Sequence, residues 1–143
     1  GMSFPAGKHM ESAAENADSA VKLRVNTDGA YMNFSGVETK ASRMAAECDT
    51  NSLAKGVLVS VADALVKTIN YAMDESGIRR VLVAGGVASN GIIRRSLGEN
   101  INGRVYFASK EFSSDNAVGT AVLAREFTER GYGTKSRNSI TDK

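Results

Sequence analysis

Apolar residues recur at every fourth position through the middle of the chain: Leu53, Val57, Val61, Leu65, Ile69 and Met73, flanked by Leu58, Ala62 and Val66. A stripe that wide predicts a helix over residues 52–76 that is covered on most sides, not a surface helix with one wet face. Asn51 or Ser52 is placed to cap its start, and Gly77 stands where a glycine closes a helix. Before it the period changes to two. Val21, Leu23 and Val25 alternate with Lys22 and Arg24, which predicts a half-exposed strand. Thr27-Asp28-Gly29 supplies a turn into a returning strand that carries Tyr31 and Phe34, so the segment reads as a hairpin ended by Ser35-Gly36. A turn-rich opening with the sole proline leads into a helix at 8–16. Another helix, at 38–47, turns Ala41, Met44 and Ala45 inward.

After the long helix comes the stretch RRVLVAGGVASN, residues 79–90. The short β-branched run at 81–84, bounded by charge and then by glycines, predicts a buried parallel strand. Ser89 is positioned to cap a helix with Ile92, Ile93 and Leu97 on one side. A second strand follows at 104–108. Ser114 then caps a helix over 115–130 with Ala117, Val118, Ala121, Val122 and Phe127 facing inward. Residues 132–143 are polar and read as a flexible tail. Gly1 before Met2 reads as a tag scar, which leaves one α/β domain at 2–131, built on a mixed sheet with flanking helices.

Composition narrows the function classes. Hydrophobic residues are 42% of the chain and charged ones 24%, ordinary for a globular domain, and a net charge of +2 is too near neutral to argue for nucleic acid. Cys48 is the single cysteine, so there is no disulfide framework and no cysteine-based zinc site. No apolar run reaches a membrane span and no signal-peptide core opens the chain. A cytoplasmic setting with no membrane partner is expected.

The candidate chemistry is concentrated at two places. A strand that stops at Gly85-Gly86 and feeds a helix presents unpaired N–H groups, where a phosphate or nucleoside can lie. The plain alternative is an ordinary βα turn, and the stretch is neither a Walker loop nor the GxGxxG pattern. Asp115 opens a helix, where the dipole favours its carboxylate. It reads either as a helix N-terminal acid or as a metal ligand at the mouth of the sheet, with Asn116 ordering the same turn. Elsewhere the bland readings prevail. His9, the sole histidine, fits a half-exposed helix position, and no serine sits in a nucleophile elbow. Cys48 reads as a small buried side chain. Arg94 and Arg95 could reach a phosphate but fit a solvated helix face better. Ser35-Gly36 is a weak candidate for a second close-approach loop.

Four motifs in order resemble one family. FPAGKHME (residues 4–11) is similar to its YPGGP turn and the helix after it. MNFSGVET (32–39) is similar to FSFSGLKT, GGVASNGIIR (85–94) to GGVAAN followed by LR, and SDNAVGTA (114–121) to TDNAAMIA. Together they resemble the C-terminal half of the glycoprotease-like, TsaD-type proteins of the actin/hexokinase/Hsp70 (ASKHA) ATPase superfamily. That family places threonylcarbamoyl on the adenosine beside the tRNA anticodon, and older usage calls it O-sialoglycoprotein endopeptidase, peptidase M22.

The resemblance implies one lobe of the ASKHA, ribonuclease H-like fold. It implies that Gly7 and Asn90 contact ATP or an adenylate, that Gly85 and Gly86 line the same loop, and that Asp115 is a metal ligand. It assigns no catalytic residue. The divalent metal (iron, zinc or magnesium) would be held only together with the N-terminal lobe, because the family's HxxxH pair and first phosphate loop have no match here. The implied partners are that lobe, then further copies of the chain or tRNA-modification subunits, with tRNA met only indirectly. Glu38 stands where the family has lysine, and Val118-Gly119-Thr120 replaces AMI, which suggests a divergent paralogue. The expectation is half a site, inactive alone. The alternative is a non-catalytic dimerising or regulatory paralogue. A metalloendopeptidase is disfavoured, since it needs about three protein ligands and an open position.

Overall fold

A computed structural model describes residues 6–109 and 117–130 of the chain. The elements in order are α1 (Ala6–Glu15), β1 (Asn26–Asp28), β2 (Tyr31–Asn33), α2 (Ser35–Met44), α3 (Thr50–Ser76), β3 (Arg80–Val83), a 3-10 turn (Val87–Ser89), α4 (Gly91–Asn100), β4 (Arg104–Phe107) and α5 (Ala117–Glu129). Both strand directions are present, divided between two small sheets: β1 and β2 pair antiparallel, β3 and β4 parallel. The expected α/β architecture with flanking helices is the one found.

The long helix separates two apolar clusters, which is why its stripe is wide. Ala54, Leu58, Ala62 and Met73 meet Ala14 of α1, Ile93 and Leu97 of α4, and Ile101. Ala64, with Leu53 and Val57 beside it, meets Leu23, Val25 and Val37. The positions buried most deeply are therefore small, so that neighbours come close on both sides. Its cap is neither Asn51 nor Ser52: Asp49 accepts the Ser52 N–H at 2.8 Å. That donated N–H holds the Asp49 carboxyl below the usual carboxylate range. Gly77 closes the helix with φ 71°, as expected.

Gly56 marks one close approach. Val21 donates its N–H to the Ser52 carbonyl at 3.0 Å, and a Cβ on Gly56 would run into the Val21 carbonyl. Gly56→Ala gains up to about 1 kcal/mol of helix propensity. It loses about 1–3 kcal/mol by forcing backbone against backbone. The clash wins because neither side is a flexible side chain. A lowered urea midpoint is the expected reading, and an unchanged or raised midpoint would refute this contact.

Three local expectations shift. Residues 21–25 keep their alternation of buried and exposed positions but lie outside the ladder, which begins at Asn26. Ser35-Gly36 opens α2, with the Asn33 Oδ1 accepting from the Ser35 N–H and Oγ, so Phe34 precedes a helix and Ala45 is exposed. His9 is exposed and Cys48 only half-buried.

The strands β3 and β4 are parallel, as the run at 81–84 predicts, but only one face is covered. Val81, Val83, Val105 and Phe107 pack on the first cluster. Leu82 is 70% exposed and Tyr106 48% on the opposite face. Among the described residues no helix is long and apolar enough to cross a membrane. The 132–143 tail, Gly1 and the cap expected at Ser114 lie outside the described residues.

Candidate functional site

The backbone leaves β3 through Gly85, whose φ of 106° is strained for any L side chain, and Gly86 enters the 3-10 turn. Asn90 follows in an extended conformation, 8% exposed, and its Oδ1 accepts the N–H groups of Ile92 and Ile93 at 3.0 and 3.1 Å. Asn90 is thus the helix cap, and Ser89 is not. Ser89 falls one residue early, inside the 3-10 turn, and its buried Oγ has no partner among the described residues.

The first N–H of α4 is taken from a distance. Glu11 of α1 accepts the Gly91 N–H through Oε1 at 2.6 Å, across 80 residues of sequence. A carboxylate here complements the helix dipole and stands where an anion would otherwise bind. The first three N–H groups of the helix, from Gly91, Ile92 and Ile93, are therefore satisfied from within. The phosphate reading of the bare helix start needs correction: an incoming acceptor must approach the turn upstream of it. Glu11→Ala is expected to lower stability by about 1–3 kcal/mol, because the part-buried Gly91 N–H loses its acceptor. Glu11→Gln keeps an acceptor and should recover most of that loss in thermal melts; equal losses would show that the hydrogen bond is not what matters.

Arg94 departs from the solvated face expected for it. Its Nε donates to the Ala88 carbonyl and its Nη2 to the Ala108 carbonyl, both at 2.6 Å, and the guanidinium lies 4.9 Å from the Phe107 ring centroid. One planar fork ties the glycine turn to the end of β4. Arg95 is exposed, as expected.

Around this frame there is room. No described atom comes within 4 Å of a Cβ built on Gly7, Gly85 or Gly86. Packing against the described residues therefore does not demand glycine at Gly7 or Gly86. Gly7 lies four residues before Glu11, on the same face of α1, and the Glu11–Gly91 bond brings that face to the start of α4. Gly85, Gly86 and Asn90 thus share one turn, with the helix of Gly7 tethered to it. Asp115 and Asn116 lie outside the described residues. Among the described residues no three His, Cys, Asp or Glu side chains gather as a metal would require, and Glu11 is already engaged. A separate open cavity of about 530 Å³ lies on the hairpin, lined by Asn26, Asp28, Tyr31, Met32, Asn33 and Phe34.

With this geometry in place, the family model described as TsaD, tRNA N6-adenosine threonylcarbamoyltransferase, matches residues 1–122. The chain belongs to this family. It is 32% identical over 136 residues to a tRNA N6-adenosine threonylcarbamoyltransferase of Thermus thermophilus, covering 92% of this chain and 42% of that protein. It is 27% identical over 157 residues to a protein of the same name from Treponema pallidum, covering 98% of this chain and 45% of that protein. The chain thus spans under half the length of the curated relatives it matches. Among solved structures, the crystal structure of T. kodakarensis HypF superposes with a TM-score of 0.69 at 23% identity, covering 91% of this chain and 18% of that one. That likeness concerns the fold. The family match takes in the glycine turn, Asn90, Glu11 and Arg94 together.

Proposed function

We propose that this chain is the nucleotide-holding half of a tRNA threonylcarbamoyladenosine-forming transferase, carrying part of the site and inactive without its N-terminal lobe. The observation that carries the reading is the turn itself. Gly85 and Gly86 stand in open space at the end of a strand, and the Arg94 fork holds the carbonyl of Ala88, two residues after them, to the end of β4. In this reading the acceptor atoms of ATP or an adenylate lie against the turn upstream of Asn90. The Asn90 Oδ1 is engaged in the cap, so its Nδ2, which makes no bond to a described residue, meets the ligand. Gly7 leaves room on the facing helix. Asp115 would supply one ligand to a divalent metal whose remaining ligands come from the other lobe, and such a metal would supply Lewis-acid polarisation of a phosphate or carbonyl oxygen. A tRNA reaches the site through that assembly and not through this chain's own near-neutral surface.

The test is threonylcarbamoyl transfer to tRNA by the chain alone and with its N-terminal half supplied as a separate polypeptide. No transfer alone and transfer on mixing is the expected result. Transfer by the chain alone would overturn the half-site reading.

A second reading, a regulatory paralogue that no longer transfers anything, is favoured by one observation: Glu11 and Asn90 already satisfy the first three N–H groups of α4. Mixed halves that neither bind an adenylate nor transfer would select it.

A further inference from the structure

Residues along an antiparallel ribbon aim their main-chain groups alternately at its two edges. Asp28 and Tyr31 flank a two-residue turn, so their N–H and carbonyl groups face each other, as do those of the Asn26–Asn33 pair. Thr27, between them, aims its N–H and carbonyl away from β2. The same parity sends those of Leu23 and Val25 along that outer edge, in a segment where Lys22, Arg24 and Asn26 are exposed and Leu23 and Val25 are buried. The neighbouring groups are accounted for: Val21 donates to the Ser52 carbonyl, and the Lys22 carbonyl accepts from the Lys40 ammonium. The main chain of Leu23 and Val25 has no hydrogen-bond partner among the described residues. Groups beside buried side chains are ordinarily paired. An unpaired row at a strand edge is a template for another strand.

We propose that two copies of the chain join along this edge, residues 22–28 of each running antiparallel to residues 22–28 of the other about a two-fold axis at Val25. The register follows from which groups are unpaired. Centred on Val25, Val25 faces Val25 and Leu23 faces Thr27 of the other copy, so three residues of each chain exchange both hydrogen bonds. Centring on Leu23 would set Val25 against Val21, whose N–H is already held by Ser52. Centring on Thr27 would set Val25 against Gly29, in the turn with φ 54°. Charge selects the same register. Lys22 of each copy falls opposite Asp28 of the other, and neither forms an ion pair among the described residues. Arg24 falls opposite Asn26, whose amide oxygen is an acceptor for it. The edge is complementary to itself, so the contact closes as a two-fold dimer and leaves no further copy to add.

The experiment uses this chain in a Cys48→Ser background, first by light scattering, where the mass of two chains is expected and the mass of one would overturn the proposal. One preparation then carries Arg24→Cys and another Asn26→Cys. In the assigned register these positions face each other across the edge, with Cα atoms about 4.5 Å apart, within reach of a disulfide. Mild oxidation of the mixture is expected to join one preparation to the other, while each alone stays reduced. No cross-link in the mixture, or an equal one in either preparation alone, would contradict the register. Charge exchange supplies an independent arm. Lys22→Glu sets two acids against each other at both ends of the edge and is expected to weaken the dimer on the order of tenfold. Adding Asp28→Lys is expected to restore it, with circular dichroism unchanged in both. No weakening, or no restoration, would overturn the assigned contact.

Discussion

Arg94→Ala is expected to lower the stability of the chain by about 3.5 kcal/mol and to loosen the glycine turn. A hydrogen bond to a charged group contributes about 1.5–3 kcal/mol, and the half-buried setting of Arg94 places each of its two near the lower end. The contact with the Phe107 ring adds about 0.5 kcal/mol. Arg94→Lys keeps the charge but has no planar fork, so it can serve one carbonyl and should recover about half of the loss. Urea unfolding measures the total. Amide exchange locates it, and the expected acceleration centres on Ser89 and Asn90, whose N–H groups bond to the Gly86 and Val87 carbonyls. If the lysine variant matches the wild type in both, the turn is not held by the fork.

Leu97→Ala should do comparable damage by a different route. Leu97 is 0% exposed and packs with Ile93 and Ile101 against α3. Truncating a leucine so enclosed removes apolar contact and leaves a cavity, together about 2–5 kcal/mol. For a domain of this size that corresponds to roughly a 10 °C fall in midpoint. Here the loss is global: exchange should rise across α3 and α4 together instead of at one turn. A loss below about 1 kcal/mol would mean that the site collapses around the smaller side chain.

The contrast between these two residues shows what was legible in the sequence. Leu97 was placed inside by its period with Ile93, and α3 by its fourfold stripe, because burial repeats along a chain. The parallel pairing of β3 and β4 followed from the same reasoning. What escaped were interactions with no period. Nothing local says that Glu11 will reach Gly91 across 80 residues. An arginine on a helix looks solvated until the turn and strand end that offer it carbonyls are in position. The cap slipped from Ser89 to Asn90 because the 3-10 turn consumes one residue that a simple strand-to-helix junction would not. The likeness of GGVASNGIIR to a family motif located the turn, while the structure supplied the reason that its asparagine and arginine belong there.

The most direct test of the account is an NMR titration of the chain with ATP and then AMP, with and without magnesium, following Gly85, Gly86, Asn90 and Asp115. The account predicts saturable shifts centred on the turn and lost in Gly86→Val, a change that fills the open space while leaving the Asn90 cap intact. Shifts that are absent, or that survive Gly86→Val unchanged, would contradict it.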